Sequence, residues 1–219
     1  MIEAFRASQI SAHIPLAKQM FALRARQFKH RRNWSLTVVD NAEKDRFDDL
    51  DPLYICVTDQ GRLLASLRLL PTTGPNMLRD VFPEVGAPSG PVRDPLIHES
   101  SRFCVDTEAV RNYGLDGINH VTRELLTGLF THALDTGLIN IVSVYDLYLE
   151  RILRRAGCRF ERLGAVHRYD GLATVAGLFE VSQEVIDELR PEPLVNPAEL
   201  SPTLGVDLAN HAITAARAL

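Results

Sequence analysis

Two periodicities organise the apolar positions of the chain. Across IPLAKQMFALRARQFKH, residues 14–30, Leu16, Met20, Leu23 and Phe28 fall roughly on one helical face, which predicts a first helix. After HRRNW, the acid-rich DNAEKDRFDDLD, residues 40–51, has loop composition. LYICVT (53–58) and LLASLRLLP (63–71) flank the turn DQGR and predict a hairpin. Residues 71–95 hold six prolines and three glycines, so a long loop is expected there, and loops of that length often carry function. HESSRFCVD, residues 98–106, alternates as a strand. Period two puts Glu99, Ser101, Phe103 and Val105 on one face, with Ser100, Arg102, Cys104 and Asp106 on the other.

The second half interleaves helices and strands. Val121, Leu125, Leu129 and Ala133 repeat every four residues up to Gly137, and LINIVSVY, residues 138–145, predicts a buried strand. Asp146 is placed to cap LYLERILRRAG, closed by Gly157. CRFERLG and GLFEVS read as later strands, Ser182 as the cap of VIDELR, and VDLANHAITAARAL as a C-terminal helix. The pattern predicts one domain over residues 1–219, an α/β sandwich around one sheet.

Composition narrows the function. A net charge of -4 argues against nucleic acid as the main partner. Three widely spaced cysteines suggest neither a disulfide framework nor a zinc site, and fit a reducing cytoplasm. The histidines show no metal-site spacing, so no metal is expected, and neither a membrane span nor a secretion signal is visible.

Four groups of residues carry candidate chemistry. Arg24 and Phe28 lie one helical turn apart, followed by Trp34 and by Asp45 and Asp48, although a core Phe beside a solvated Arg would look the same. Arg68 shares a strand face with Leu64, Ser66 and Leu70, where a cation needs a carboxylate or a ligand oxygen. Glu99, Ser101 and Arg102 put charge on a strand that is turning apolar. Arg151, Arg154 and Arg155 share a helix flank, either as solvated surface or as a dock for an acidic partner.

Arg24, Phe28, Trp34, Asp45, Asp48, RLLPTTGP around Arg68, ESSRF, and IVSVYDLYLERILRRAGC occur in an order and spacing that resembles the acyl-homoserine-lactone synthases, the autoinducer synthases of quorum sensing. The resemblance implies a three-layer α/β/α sandwich around one mixed, mainly antiparallel sheet, like that of GCN5-related N-acyltransferases. It implies acylation of the amine of S-adenosylmethionine by an acyl thioester, then lactone closure with release of 5′-methylthioadenosine. S-adenosylmethionine is then a substrate, and no cofactor is expected.

The expected roles follow. Arg24, Phe28, Trp34, Asp45, Asp48 and Arg68 shape the S-adenosylmethionine region. Glu99 is the candidate base, Ser101 positions it or the acyl carbonyl, and Arg102, on the reverse face, anchors the strand to nearby acids. Backbone N–H groups around Phe103 and Val105 are candidates for the oxyanion, and Ser143 is associated with a 3-oxo acyl preference. Arg151, Arg154 and Arg155 would dock acyl carrier protein, with acyl-coenzyme A also possible as donor. RNYGLD, residues 111–116, only partly resembles the pyrophosphate loop of the GCN5 type, because Asp116 stands where Gly or Ala is usual. The alternative is a GCN5-type N-acyltransferase that uses acyl-coenzyme A on another amine.

Overall fold

The structure is a computed structural model that describes residues 1–31, 38–113 and 117–191. Its elements in chain order are β1 (Ile2–Arg6), α1 (Ile14–Arg24), β2 (Val38–Val39), β3 (Ala42–Glu43), β4 (Leu53–Asp59), β5 (Arg62–Pro71), α2 (Met77–Asp80) and β6 (Ile97–Val105). They continue with α3 (Gly117–Asp135), β7 (Asn140–Asp146), α4 (Leu147–Ala156), β8 (Phe160–Arg162), β9 (His167–Tyr169), β10 (Leu172–Glu180) and α5 (Gln183–Leu189). Trp34, residues 114–116 of RNYGLD and the stretch VDLANHAITAARAL lie outside the described residues.

One sheet runs in the order β1-β4-β5-β6-β7-β10-β8, with β9 on β10, and only the β6–β7 pair is parallel. This is the mixed, mainly antiparallel sheet that the resemblance implies. Apolar side chains of α3, α4 and α5 cover one face, in a core with Ile55, Leu67, Leu125 and Phe179. On the other face α1 covers Tyr54, Cys56 and Cys104, while the proline-rich segment lays Met77, Leu78, Phe82 and Val85 over Leu70, Val142 and Ala176.

Local signals explain most element ends. The β4–β5 hairpin turns on Gln60 and Gly61, both at positive φ. Asp146 accepts the Leu149 N–H at 2.8 Å to start α4, and Gly157 ends it at φ 108°. Ser182 accepts the Val185 N–H to start α5. The predicted first helix is α only to Arg24 and continues as a π-helical turn, Ala25–Arg31. Strands β1, β2, β3 and β9 are additional to the predicted ones. The acid-rich stretch contains β3 and a 3₁₀ turn, Arg46–Asp49, because Asp40 and Asn41 adopt the positive φ that a two-residue hairpin turn needs.

Two irregularities correct the strict alternation expected in the strands. Val57 pairs with Ala65 and Thr58 with Leu63, so Leu64 is an extra residue that turns to the α3 face, away from Arg68. In β6, Arg68 pairs with Ser101 and Ser66 with Cys104, so Arg102 and Phe103 together oppose Leu67. Arg102 takes φ 55° at this bulge. Its side chain thereby joins that of Ser101 rather than the reverse face, and Phe103 and Val105 turn to the α3 side.

The proline-rich segment is fastened at several points. Thr72 Oγ1 donates to the carbonyls of Asp94 and Ile97, Tyr169 donates to Glu84, and the backbone at Val85 and Gly86 lies directly on Gly164. A Cβ on Gly164 would sit 2.2 Å from the Gly86 carbonyl oxygen. Gly164→Ala is therefore expected to cost about 1–3 kcal/mol, as overpacking does. Urea unfolding would check this, an unchanged midpoint counting against the contact.

Candidate functional site

Three cations and three acids meet on the α1 face. Hairpin β2–β3 presents Glu43, and the 3₁₀ turn that follows presents Asp45 and Asp48, fixed by the bonds Phe47 N–H to Asp45 at 2.9 Å and Asp45 N–H to Asp48 at 2.8 Å. Arg24 at the end of α1 donates from Nε to Glu43 at 2.5 Å and grips Asp48 with two bonds of 2.9 Å. Arg68 in β5 reaches Asp45 at 2.5 Å, Asp48 at 3.0 Å and Ser101 Oγ at 3.1 Å. Arg102 reaches Glu43 at 2.8 Å and Asp45 at 2.6 Å.

Charge balance makes this burial tolerable. Three guanidinium groups face three carboxylates, and each guanidinium also lies on an aromatic ring: Arg24 on Phe21, Arg68 on Phe47 and Arg102 on Phe28. Tyr54 adds its hydroxyl to Asp48 at 2.9 Å. Burial pushes the Asp48 carboxyl up, but the hydrogen bonds and charges of Arg24, the charge of Arg68 and the Asp45 N–H outweigh it, leaving the group well below the carboxylate range. Asp45 is the most open of the three acids, its side chain 18% exposed against 1% for Glu43 and 0% for Asp48.

Above the network the sheet opens. Strands β6 and β7 pair from Ile97 and Asn140 only as far as Ser100 and Ser143, and then part. A cleft lies in the gap, lined by Phe28, Met77 and Phe82, by Glu99 to Phe103, and by Ser143 to Tyr145 with Leu149. It draws on both faces of the sheet. An apolar pocket adjoins it on the α3 side, between Leu126, Leu129, Phe130, Leu153 and Phe179, and shares Ser100, Phe103, Ser143 and Leu149 with it.

Glu99 sits at the cleft with its oxygens accepting the N–H groups of Met77 at 2.9 Å and Leu78 at 2.6 Å. Burial raises its pKa, and the two N–H groups and the charges of Arg68 and Arg102 only partly counter that. The Met77 sulfur accepts from Arg68 at 3.2 Å and from Arg102 at 3.3 Å, tying the proline-rich segment to the network.

The predicted residues thus fall into layers. Phe28, Glu99, Ser101, Arg102, Phe103 and Ser143 line the cleft, whereas Arg24, Asp45, Asp48 and Arg68 form the network beneath it. Val105 lies in the α3-side core with its carbonyl taken by Gln27. On α4, Arg151 and Arg155 are exposed, but Arg154 is engaged: it donates to Glu150 at 3.1 Å and lies 4.2 Å from the centre of the Phe160 ring. Arg162 also donates to Glu150, at 2.9 Å. Glu43, Tyr54 and Met77 were not anticipated. In so acidic a stretch one more acid is a poor clue, and the one usable signal for Glu43 is its place two residues before the Asp45-x-x-Asp48 pair. Among the described residues no group of three His, Cys, Asp or Glu could hold a metal ion, and no helix is long and apolar enough to cross a membrane.

Comparison with known proteins matches this architecture. The family model described as autoinducer synthase fits residues 8–189. An acyl-homoserine-lactone synthase of Rhizobium etli is 39% identical over 175 residues, covering 78% of this chain and 80% of that protein. The solved structure of BjaI, a CoA-dependent acyl-homoserine lactone synthase with SAM and isopentyl-CoA, aligns with a TM-score of 0.78 at 28% identity over 86% of this chain and 87% of that one. The crystal structure of the AHL synthase LasI gives 0.76 at 28% identity over 90% and 97%.

The network dictates an acid response. Asp48 has a depressed pKa in the folded state, so its contribution to stability is complete above the unfolded carboxylate value and is lost as pH falls through the folded one. Asp48→Asn, which unbalances the buried charges, is expected to cost about 3–5 kcal/mol at neutral pH and to flatten the acid side of the stability curve. Denaturant titrations between neutral and acid pH would read both, and a variant as stable and as acid-sensitive as the parent would refute this role.

Proposed function

Since this chain belongs to the autoinducer synthase family and is an acyltransferase of the acyl-homoserine-lactone synthase kind, we propose that its cleft joins S-adenosylmethionine to an acyl group delivered as a thioester on acyl carrier protein. The observation that carries this reading is the parting of β6 and β7 beyond Ser100 and Ser143. It sets two unlike pockets side by side, a charged one over the Arg and acid network and an apolar one against α3. An amino acid bearing a sulfonium suits the first, and a fatty acyl chain the second.

In this reading Phe28 and Arg102 border the adenosyl substrate, and Asp45, the most open acid, faces its ammonium. Arg24, Asp48 and Arg68 hold Asp45 and Arg102 in place from below. Each Glu99 oxygen keeps a lone pair beyond its backbone bond, so the carboxylate can take a proton from the ammonium directly or through a water. The freed amine attacks the thioester carbonyl, the C–S bond breaks and the carrier leaves as its thiol. The substrate carboxylate then attacks its own γ-carbon. That C–S bond breaks with its electrons going to sulfur, and methylthioadenosine and the lactone result. The reaction needs no further cofactor.

For the carrier, α4 offers exposed Arg151 and Arg155 with Tyr148, which is 70% exposed. Arg154 belongs to the Glu150 and Phe160 contacts instead, because its charge is already paired. The likeness to BjaI, described as CoA-dependent, favours acyl-coenzyme A as a second reading of the donor.

Mass spectrometry of purified protein incubated with S-adenosylmethionine and acyl thioesters should reveal both an N-acyl-homoserine lactone and methylthioadenosine. Amide formation without methylthioadenosine would replace this function with plain N-acyl transfer. Glu99→Gln should lose roughly 10²- to 10⁴-fold in turnover. With the parent protein, kcat/KM should fall as pH drops through a value above the usual carboxylate range, since Glu99 must be ionised to accept the proton. Charge reversal at Arg151 and Arg155 should raise KM for the carrier-bound donor several-fold, with a smaller penalty at high salt. Equal KM values at every salt concentration would remove α4 from carrier docking.

A further inference from the structure

Glu99 takes its two N–H donors from Met77 and Leu78, the first residues of α2. Four residues are too few to hold a helical turn unaided, so the direction of those N–H groups is imposed by what grips α2 at each end. At its start the Asn76 side chain caps it, accepting the Arg79 N–H at 3.0 Å, and the Met77 sulfur accepts from Arg68 and Arg102. At its end the N–H groups of Val81 and Phe82 donate to the Met77 carbonyl at 2.9 and 3.0 Å, which makes Phe82 the next rigid step. The Phe82 ring is buried, lines the cleft and stands edge-on to Tyr169 of β9, with ring centres 4.9 Å apart at 88°. Two residues further on, Glu84 accepts the Tyr169 hydroxyl, and the His167 ring lies 4.7 Å from that of Tyr169. The 3₁₀ turn Pro83–Val85 joins these two contacts, closed by the bond from the Val85 N–H to the Phe82 carbonyl at 3.2 Å. Leu163, Tyr169 and Leu178 pack on the same core as Phe82 and Val85.

We propose that Tyr169, with Glu84 as its partner, is a positioning residue for the reaction: it holds the Phe82 wall onto the cleft and, through α2, sets two backbone N–H groups against Glu99. The inference rests on the acyl transfer proposed above, in which Glu99 is the base. Tyr169 itself is not part of the cleft lining, so it acts from the β9–β10 hairpin without touching the reacting atoms. The two grips on α2 differ in kind. The guanidinium contacts fix the Met77 side chain, whereas the turn through Phe82 and Glu84 fixes the backbone from which Glu99 receives its hydrogen bonds. Burial favours the neutral form of Glu99, while the Met77 and Leu78 N–H groups, Arg68 of β5 and Arg102 of its own strand favour the charged form. A loosened N–H bond therefore makes Glu99 harder to ionise.

The test is the pH profile of lactone formation, with S-adenosylmethionine and the acyl thioester that turns over best, read beside urea unfolding midpoints. Tyr169→Phe removes the hydroxyl and keeps the ring on Phe82, and Glu84→Ala removes the acceptor. Each should lower kcat/KM several-fold at neutral pH and move its acid limb up by roughly half to one pH unit, the scale of one weakened hydrogen bond to a charged group. Activity should recover toward that of the parent as pH rises and Glu99 ionises. The double variant should be no worse than either single one, because both remove the same bond. Glu84→Gln, which still accepts from Tyr169, should keep most of the parent profile, and Tyr169→Ala should show the largest shift. Should Tyr169→Ala fail to fold, Tyr169→Phe decides. An acid limb that stays in place, with activity equal to the parent's or reduced by the same factor at every pH, overturns the positioning role while leaving acyl transfer standing, whatever the urea midpoints show. Absence of lactone from the parent with every thioester overturns the acyl transfer itself and this inference with it.

Discussion

Three guanidinium groups can be buried side by side only if equal negative charge is buried with them. Arg24, Arg68 and Arg102 meet that condition through Glu43, Asp45 and Asp48, and the consequences spread through the fold. Because Arg24 closes α1, Arg68 stands mid-strand in β5 and Arg102 sits on a bulge of β6, their shared acids lock a helix, two strands and a small hairpin into one arrangement. The network joins elements far apart in sequence and fixes them as a unit.

The same network reaches the chemistry through two links. Arg68 and Arg102 both donate to the sulfur of Met77, and the N–H of Met77 is one of two that hold Glu99. The candidate base is therefore positioned by the very segment that the network anchors. Glu99 is pulled two ways, by burial that favours its neutral form and by backbone N–H groups that favour its charged form. Burial wins, which leaves the carboxylate more basic than a solvated one and better suited to accept a proton.

The opening between β6 and β7 supplies what the network does not, an apolar pocket against α3. Parallel pairing stops at Ser100 and Ser143, and the Ser143 hydroxyl takes up the Ser100 carbonyl at that boundary. A polar pocket and an apolar one then meet at that boundary, sharing Ser100, Phe103, Ser143 and Leu149 as lining. The aromatic contacts of Phe179 with Phe130 and Phe160, and of Arg154 with Phe160, brace the far wall.

Much of this was legible in the residues alone. The hairpin Leu53–Pro71 and the caps at Asp146, Gly157 and Ser182 follow from local periodicity and capping chemistry, which depend on near neighbours, while the grouping of Arg24, Asp45, Asp48 and Arg68 was implied by the family resemblance. Tertiary structure alone decided the rest. A bulge opposite Leu67 reversed the faces of Arg102, Phe103 and Val105, since one extra residue shifts a period-two pattern by half its period. Glu43 became a charge partner and Arg154 ceased to be a free one, because pairing is settled by distance in space, to which an acidic run or a basic flank in the sequence is blind.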